Sequence, residues 1–141
     1  MLKIKRSSSG FTLIELLVVM VVIGLLVGIL LPNMLDMRLR SRDARVKSEL
    51  RALKTALEVY YQENQDYPAD KGAIGGDGGT FTASGVIYMQ TLPESFEYTR
   101  VSQDSFLLYA PLENLSDQDV ADSQNRCGVS VSTNNYYECT L

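Results

Sequence analysis

Apolar residues dominate residues 11 to 31, where only Thr12, Glu15, Gly24 and Gly28 interrupt the run, and then thin out into a periodic stripe. As a helix rising about 1.5 Å per residue, that run is roughly 32 Å long, enough to cross the hydrocarbon core of a bilayer. Beyond Pro32, Leu39, Val46, Leu50, Leu53, Leu57 and Tyr60 are spaced by seven, four, three, four and three, which is one face of an amphipathic helix. The two patterns join into a helix from Phe11 to about Gln65, stopped where Pro68 forces Tyr67 out of helical conformation. Pro32 lacks a backbone donor and Gly24 is a weak point, so a kink or local melting is expected between Gly24 and Asn33.

Further along, Gly72 to Gly85 reads as a flexible glycine-rich loop and Ile87 to Leu92 as a short apolar turn. Alternation in Phe96–Val101 and Ser105–Ala110 predicts an antiparallel hairpin turning at Ser102-Gln103-Asp104, with Asn135–Cys139 as a further edge strand. A small antiparallel sheet packed on the apolar face of the long helix buries both surfaces, which makes the fold class α+β. The chain divides into a leader at 1–10, an apolar helix at 11–35, an amphipathic stem at 36–66 and a head at 67–141.

Charge sharpens this division. Lys3, Lys5 and Arg6 precede the apolar run without an acid, and residues 36 to 54 carry Arg38, Arg40, Arg42, Arg45, Lys47, Arg51 and Lys54 against Asp36, Asp43 and Glu49. From Gly72 onward nine acids face only Arg100 and Arg126. The basic leader predicts a cytoplasmic amino terminus and an exported remainder. Three readings of the basic stem stand open: a solvated face, a surface for anionic lipid or nucleic acid, and packing against acidic heads of neighbouring copies. A net charge of -4 argues against a general nucleic-acid binder. The absence of histidine removes the commonest general base and metal ligand.

No A-x-A-like site follows the apolar run, so it does not read as a cleavable secretory signal. The polar stretch ending at Gly10 lies before it, and a cut there leaves the apolar helix on the mature chain. Glu15 is costly in hydrocarbon, and it is either hydrated near the cytoplasmic interface or paired with a cation in an assembled state.

Gly10-Phe11-Thr12-Leu13-Ile14-Glu15-Leu16-Leu17-Val18-Val19, with Gly24 and Pro32, resembles the class III signal of type IV pilins and type II secretion pseudopilins. The resemblance covers about residues 1 to 65. It implies cleavage by a prepilin peptidase between Gly10 and Phe11, N-methylation of Phe11, and a Glu15 that meets the Phe11 amine of an adjacent subunit. It further implies a homo-oligomeric helical filament, built with an inner-membrane platform protein, an assembly ATPase and other minor pilins. The subunit would sit in the inner or cytoplasmic membrane before assembly, and in an extracellular pilus or periplasmic pseudopilus afterwards.

Cys127 and Cys139 lie beyond the export segment, where an oxidising compartment pairs them, and two cysteines without histidine cannot make a four-ligand zinc site. In the family's pilin branch a carboxy-terminal disulfide-bounded loop is common. Asp117, Asp119 and Asp122 read as an acidic surface loop; the weaker alternative is calcium, as in the late loops of major pseudopilins, although the oxygen set of an EF-hand is missing. No catalytic residue and no cofactor is expected. The expected function is a non-catalytic filament subunit; the alternative is a signal-anchored monomeric surface protein with a ligand-binding or enzymatic head.

Overall fold

The computed structural model describes residues 10–130 and 133–140, and within its first helix only the backbone of residues 30–36. It forms two compact units, one ending at Met37 and one running from Arg38 to Leu141. The long helix α1, Leu13–Asn64, supplies the helical part of the first unit and the opening element of the second.

In the first unit, helical backbone continues through residues 24 to 33, so no melted turn interrupts α1 there. The side chain of Pro32 and the leader residues 1–9 lie outside the described residues. From Leu13 to Ile29 the apolar side chains are exposed all round the helix, Leu13 at 83% and Leu25 at 63%, because no other element of this unit covers them. Among the described residues no helix is long and apolar enough to cross a membrane.

In the second unit the predicted stripe is the spine of the core. Leu50, Leu53 and Leu57 are fully buried, Val46 and Tyr60 pack at the margin, and Leu39 stays on the exposed side. Gln65 ends α1 with φ 55°, its N–H donating to the Tyr61 carbonyl at 2.7 Å. That left-handed residue just past the last turn satisfies an otherwise orphaned carbonyl. Arg100 then pairs with Asp66 at 2.6 Å, and the buried Tyr98 hydroxyl donates to the Pro68 carbonyl, so the exit of the helix is tied to the sheet. Burial pushes the Tyr98 phenol well above the ordinary tyrosine range.

The expected flexible loop is instead structured. Asp70 caps the short helix α2, Lys71–Ile74, which buries Ile74, and the chain then forms β1, Phe81–Ala83, and β2, Val86–Met89, an antiparallel pair. Ser84 and Gly85 both have positive φ, 51° and 82°, the geometry of a two-residue hairpin turn. The glycines serve close backbone approach: a Cβ on Gly79 would run into the Gly75 carbonyl oxygen. Composition suggested mobility where the chain needed bare backbone.

A second sheet has strand order β3-β4-β5, from β3, Glu97–Arg100, β4, Phe106–Pro111, and β5, Asn135–Cys139, all antiparallel. The hairpin and the edge strand sit where alternation put them. Between β4 and β5 lies α3, Gln118–Arg126, in a segment read as an acidic loop. It packs on β5 through Val120 and Ser123; the buried Ser123 hydroxyl donates to the Val120 carbonyl and accepts from the Tyr137 N–H. Phe96, Phe106, Leu108 and Tyr136 complete a core shared by the stem, both sheets and α3.

Candidate functional site

The described part of the first unit begins with three non-helical residues, Gly10, Phe11 and Thr12, all exposed, Phe11 at 89%. A peptide bond inside a helix is closed to a protease, and the Gly10–Phe11 bond lies outside one, on exposed backbone of the kind that is cut. Helix α1 starts immediately afterwards through a reciprocal cap. The Thr12 hydroxyl accepts from the Glu15 N–H at 3.3 Å, and Glu15 Oε2 accepts from the Thr12 N–H and hydroxyl, both at 2.9 Å. A threonine followed three residues later by a glutamate satisfies two orphan donors of the first turn and places the acid at the positive end of the helix dipole. The Thr12–Glu15 spacing carries that signal in the sequence. Within a single chain the carboxylate is thus held at the start of an otherwise apolar helix, four residues beyond the Phe11 nitrogen. Apart from the adjoining residues and the helix's own backbone, no described atom lies within 4 Å of where a Cβ on Gly24 would stand.

The second unit answers the question of the basic stem. Lys47, only 9% exposed, donates to Asp117 Oδ2 at 2.6 Å and to Asp119 Oδ2 at 2.7 Å. Burial opposes charging Lys47, but the hydrogen bonds and charges of the two aspartates outweigh it and raise the ammonium's pKa. Burial likewise opposes ionising Asp117, yet the bonds from Lys47 and the Asp119 N–H, with the charges of Lys47 and Arg40, hold its carboxyl below the ordinary range. Arg42 pairs with Glu113 at 3.3 Å, and Arg45 with Glu49 at 2.7 Å one turn along. Arg51, Lys54 and Arg126 all approach the buried Glu138 carboxylate, at 3.5, 3.5 and 3.6 Å. Much of the stem's positive charge is therefore met by the head of its own chain.

Asp43, which its sequence surroundings placed on a solvated face, is 2% exposed and accepts from the Glu113 and Asn114 N–H groups, both at 2.9 Å. It fastens the loop after β4 to α1, and no sequence pattern marked it. Of the three aspartates considered for calcium, Asp117 caps α3 through the Asp119 N–H, and Asp117 with Asp119 grips Lys47; Asp122 stands exposed on α3. Among the described residues no group of three or more Asp, Glu, Cys or His side chains is arranged to hold a metal ion. Cys127, at the carboxy-terminal cap of α3, and Cys139, at the end of β5, form a disulfide.

An exposed bond before the helix, a capped glutamate in its first turn and a stem carrying a small disulfide-closed sheet describe an α+β chain with an apolar amino-terminal helix. Residues 5–31 match the family described as the prokaryotic N-terminal methylation motif. The chain is 38% identical over 64 residues to the type II secretion system core protein G of Aeromonas hydrophila, 45% of each chain. It is also 38% identical over 69 residues to the type IV wide pilus major component PilA4 of Thermus thermophilus, 49% of this chain and 53% of that one. A third relative, the type IV major pilin protein PilA of Myxococcus xanthus, is 39% identical over 66 residues, 47% of this chain and 30% of its own. The chain thus spans about half the length, or less, of the curated relatives it matches. No solved structure matches. Residues 5–31 thus carry the methylation motif, and the similarity to type IV pilins and to the type II secretion core protein G extends over 45–49% of the chain.

Proposed function

We propose that the chain is a structural, non-catalytic subunit of a helical filament, a type IV pilus or a type II secretion pseudopilus. The observation that carries this reading is the juxtaposition at one helix start: an exposed, non-helical Gly10–Phe11 bond directly before an apolar helix whose first turn holds Glu15. Cleavage after Gly10 by a prepilin peptidase frees the Phe11 amine, which is then N-methylated. Before assembly the apolar helix anchors the subunit in the inner membrane, amino terminus inward. An inner-membrane platform protein and an assembly ATPase add subunits to the filament, with other minor pilins. The apolar side chains exposed around α1 from Leu13 to Ile29 suit both settings, because a helix that is hydrophobic all round must be covered by lipid or by other helices.

In the filament Glu15 exchanges part of its bond set with Thr12 for the Phe11 amine of the adjacent subunit. A bend at Gly24 and Pro32 adapts the helix to its neighbours. Replacing Glu15 with Ala removes the carboxylate while leaving the apolar helix intact, so membrane level and cleavage are expected to match the parent. Sheared filament yield from the variant as sole subunit is expected to collapse. Normal yield would remove Glu15 from the assembly role.

A further inference from the structure

The ion pairs of the second unit leave a charge imbalance that points to a docking surface. Three cations, Arg51 and Lys54 from α1 and Arg126 from the last turn of α3, converge on Glu138, and among the described residues it is the sole carboxylate within 4 Å of any of them. The Tyr136 hydroxyl, which donates to Glu138 at 2.6 Å and accepts from Arg51, holds that carboxylate against β5. Glu138 is buried at 5% exposure, whereas the Arg51 and Arg126 side chains remain 61% and 44% exposed. The two arginines therefore present donors to solvent over a carboxylate already in use, beside a Lys54 side chain that is 28% exposed.

Acids without cations lie elsewhere on the same unit. Of the nine acids from Gly72 onward, Glu94, Asp104 and Asp122 have no cation within 4 Å among the described residues. Asp122 is on α3 itself, one turn before Arg126. Asp104 is the exposed tip of the β3–β4 turn, which is fastened at the end of α1 by the Tyr67 N–H donating to the Gln103 carbonyl at 3.1 Å. The cation cluster lies about three to four helical turns earlier along α1. A basic cluster and an acid at different levels along one axis let the cations of one copy meet the acid of the next, and such a head-to-tail contact generates an open helical array when it does not close into a ring.

We infer that the Arg51, Lys54 and Arg126 cluster receives the β3–β4 turn of a second copy of this chain through its one carboxylate, Asp104. The inference rests on the filament reading above and extends it to the heads. Three cations on a chain of net charge -4 are a poor fit for nucleic acid and a good one for an acidic protein turn.

Filaments assembled from a mixture of unlabelled and nitrogen-15-labelled full-length chains, treated with a zero-length carbodiimide, test it. Mixed-isotope crosslinks from Lys54 to Asp104 are expected, and crosslinks from Lys54 to Glu138 of the same chain alone would overturn it. Arg126→Glu and Asp104→Arg, each checked for parental thermal unfolding, should each lower sheared filament yield at least several-fold, and the double variant should restore most of it. Normal yield from both single variants would sink the proposal while leaving the filament reading intact. Normal yield from Arg126→Glu combined with lost retention on double-stranded DNA would transfer the surface to nucleic acid. A parent chain that forms no filament would remove both readings together.

Discussion

Replacing Lys47 with Met keeps the length of the stem and its apolar packing while deleting the ammonium that joins stem to α3. Its side chain is 11% exposed, against 17% for Asp117 and 55% for Asp119. Removing one partner of a fully buried pair costs about 3–5 kcal/mol, because the other charge is left uncompensated, whereas an exposed pair contributes about 0–1 kcal/mol. Asp117 lies near the buried limit and Asp119 nearer the exposed one. Asp117 also keeps the Asp119 N–H as a partner, so the expected loss is about 2–3 kcal/mol. For a domain of this size 1 kcal/mol moves the midpoint by about 4–8 °C, which predicts a fall of roughly 10 to 20 °C in thermal unfolding followed in detergent.

Adding Asp117→Asn, which retains a capping side chain without the charge, should recover part of that loss. The pH dependence has a definite sign. Asp117 is held below its ordinary pKa in the folded chain, so its contribution is present above the usual carboxylate range and is lost as pH falls through the folded value. Lys47 is raised, so its contribution is present below the usual lysine range and is lost as pH rises through the folded value. The variant should therefore lose less stability than the parent on acidification below about pH 4. A Lys47→Met protein within about 0.5 kcal/mol of the parent, with an unchanged acid limb, would refute the claim that this contact is a buried tie.

Two further outcomes follow from the second unit. Asp43→Ala leaves the Glu113 and Asn114 amides without their acceptor and should cost about 3 kcal/mol, with faster hydrogen exchange at those two amides; unchanged exchange would contradict the clamp. Cys127 and Cys139 should resist thiol labelling in exported protein until reductant is added, and reduction should raise exchange in α3 and β5 before the rest of the sheet; quantitative labelling without reductant would contradict the disulfide.

What the sequence disclosed depended on the range of the interaction. The stripe at Leu50, Leu53 and Leu57 and the alternation around Phe106 and Leu108 are local periodicities, and both became core as expected. The stop near Gln65 was legible from Pro68 and the polar run before it. The helix α3 was hidden because only Val120 and Ser123 of its nine residues are buried, too few to mark a face. The β1–β2 hairpin was hidden by glycines that look like mobility and supply close contact. The partners of the basic stem were out of reach for another reason: Lys47 and Asp117 stand 70 residues apart, and charge counts do not reveal which acid the fold brings round. Asp43 shows the limit most plainly, since an aspartate among arginines on a polar face gave no cue that it would be buried against backbone amides. At the amino terminus the motif is dense and local, and the bond Glu15 makes within its own chain follows from the Thr12–Glu15 spacing.

The filament reading stands most directly on processing. Intact mass of the chain recovered from membranes and from sheared surface or periplasmic fractions measures it in one experiment. The predicted result is a chain that starts at Phe11, carries one added methyl on its amine, retains residues 11–31 and is two hydrogens lighter for the Cys127–Cys139 bond. A recovered chain still beginning at Met1, or one starting beyond Leu31, would contradict the account.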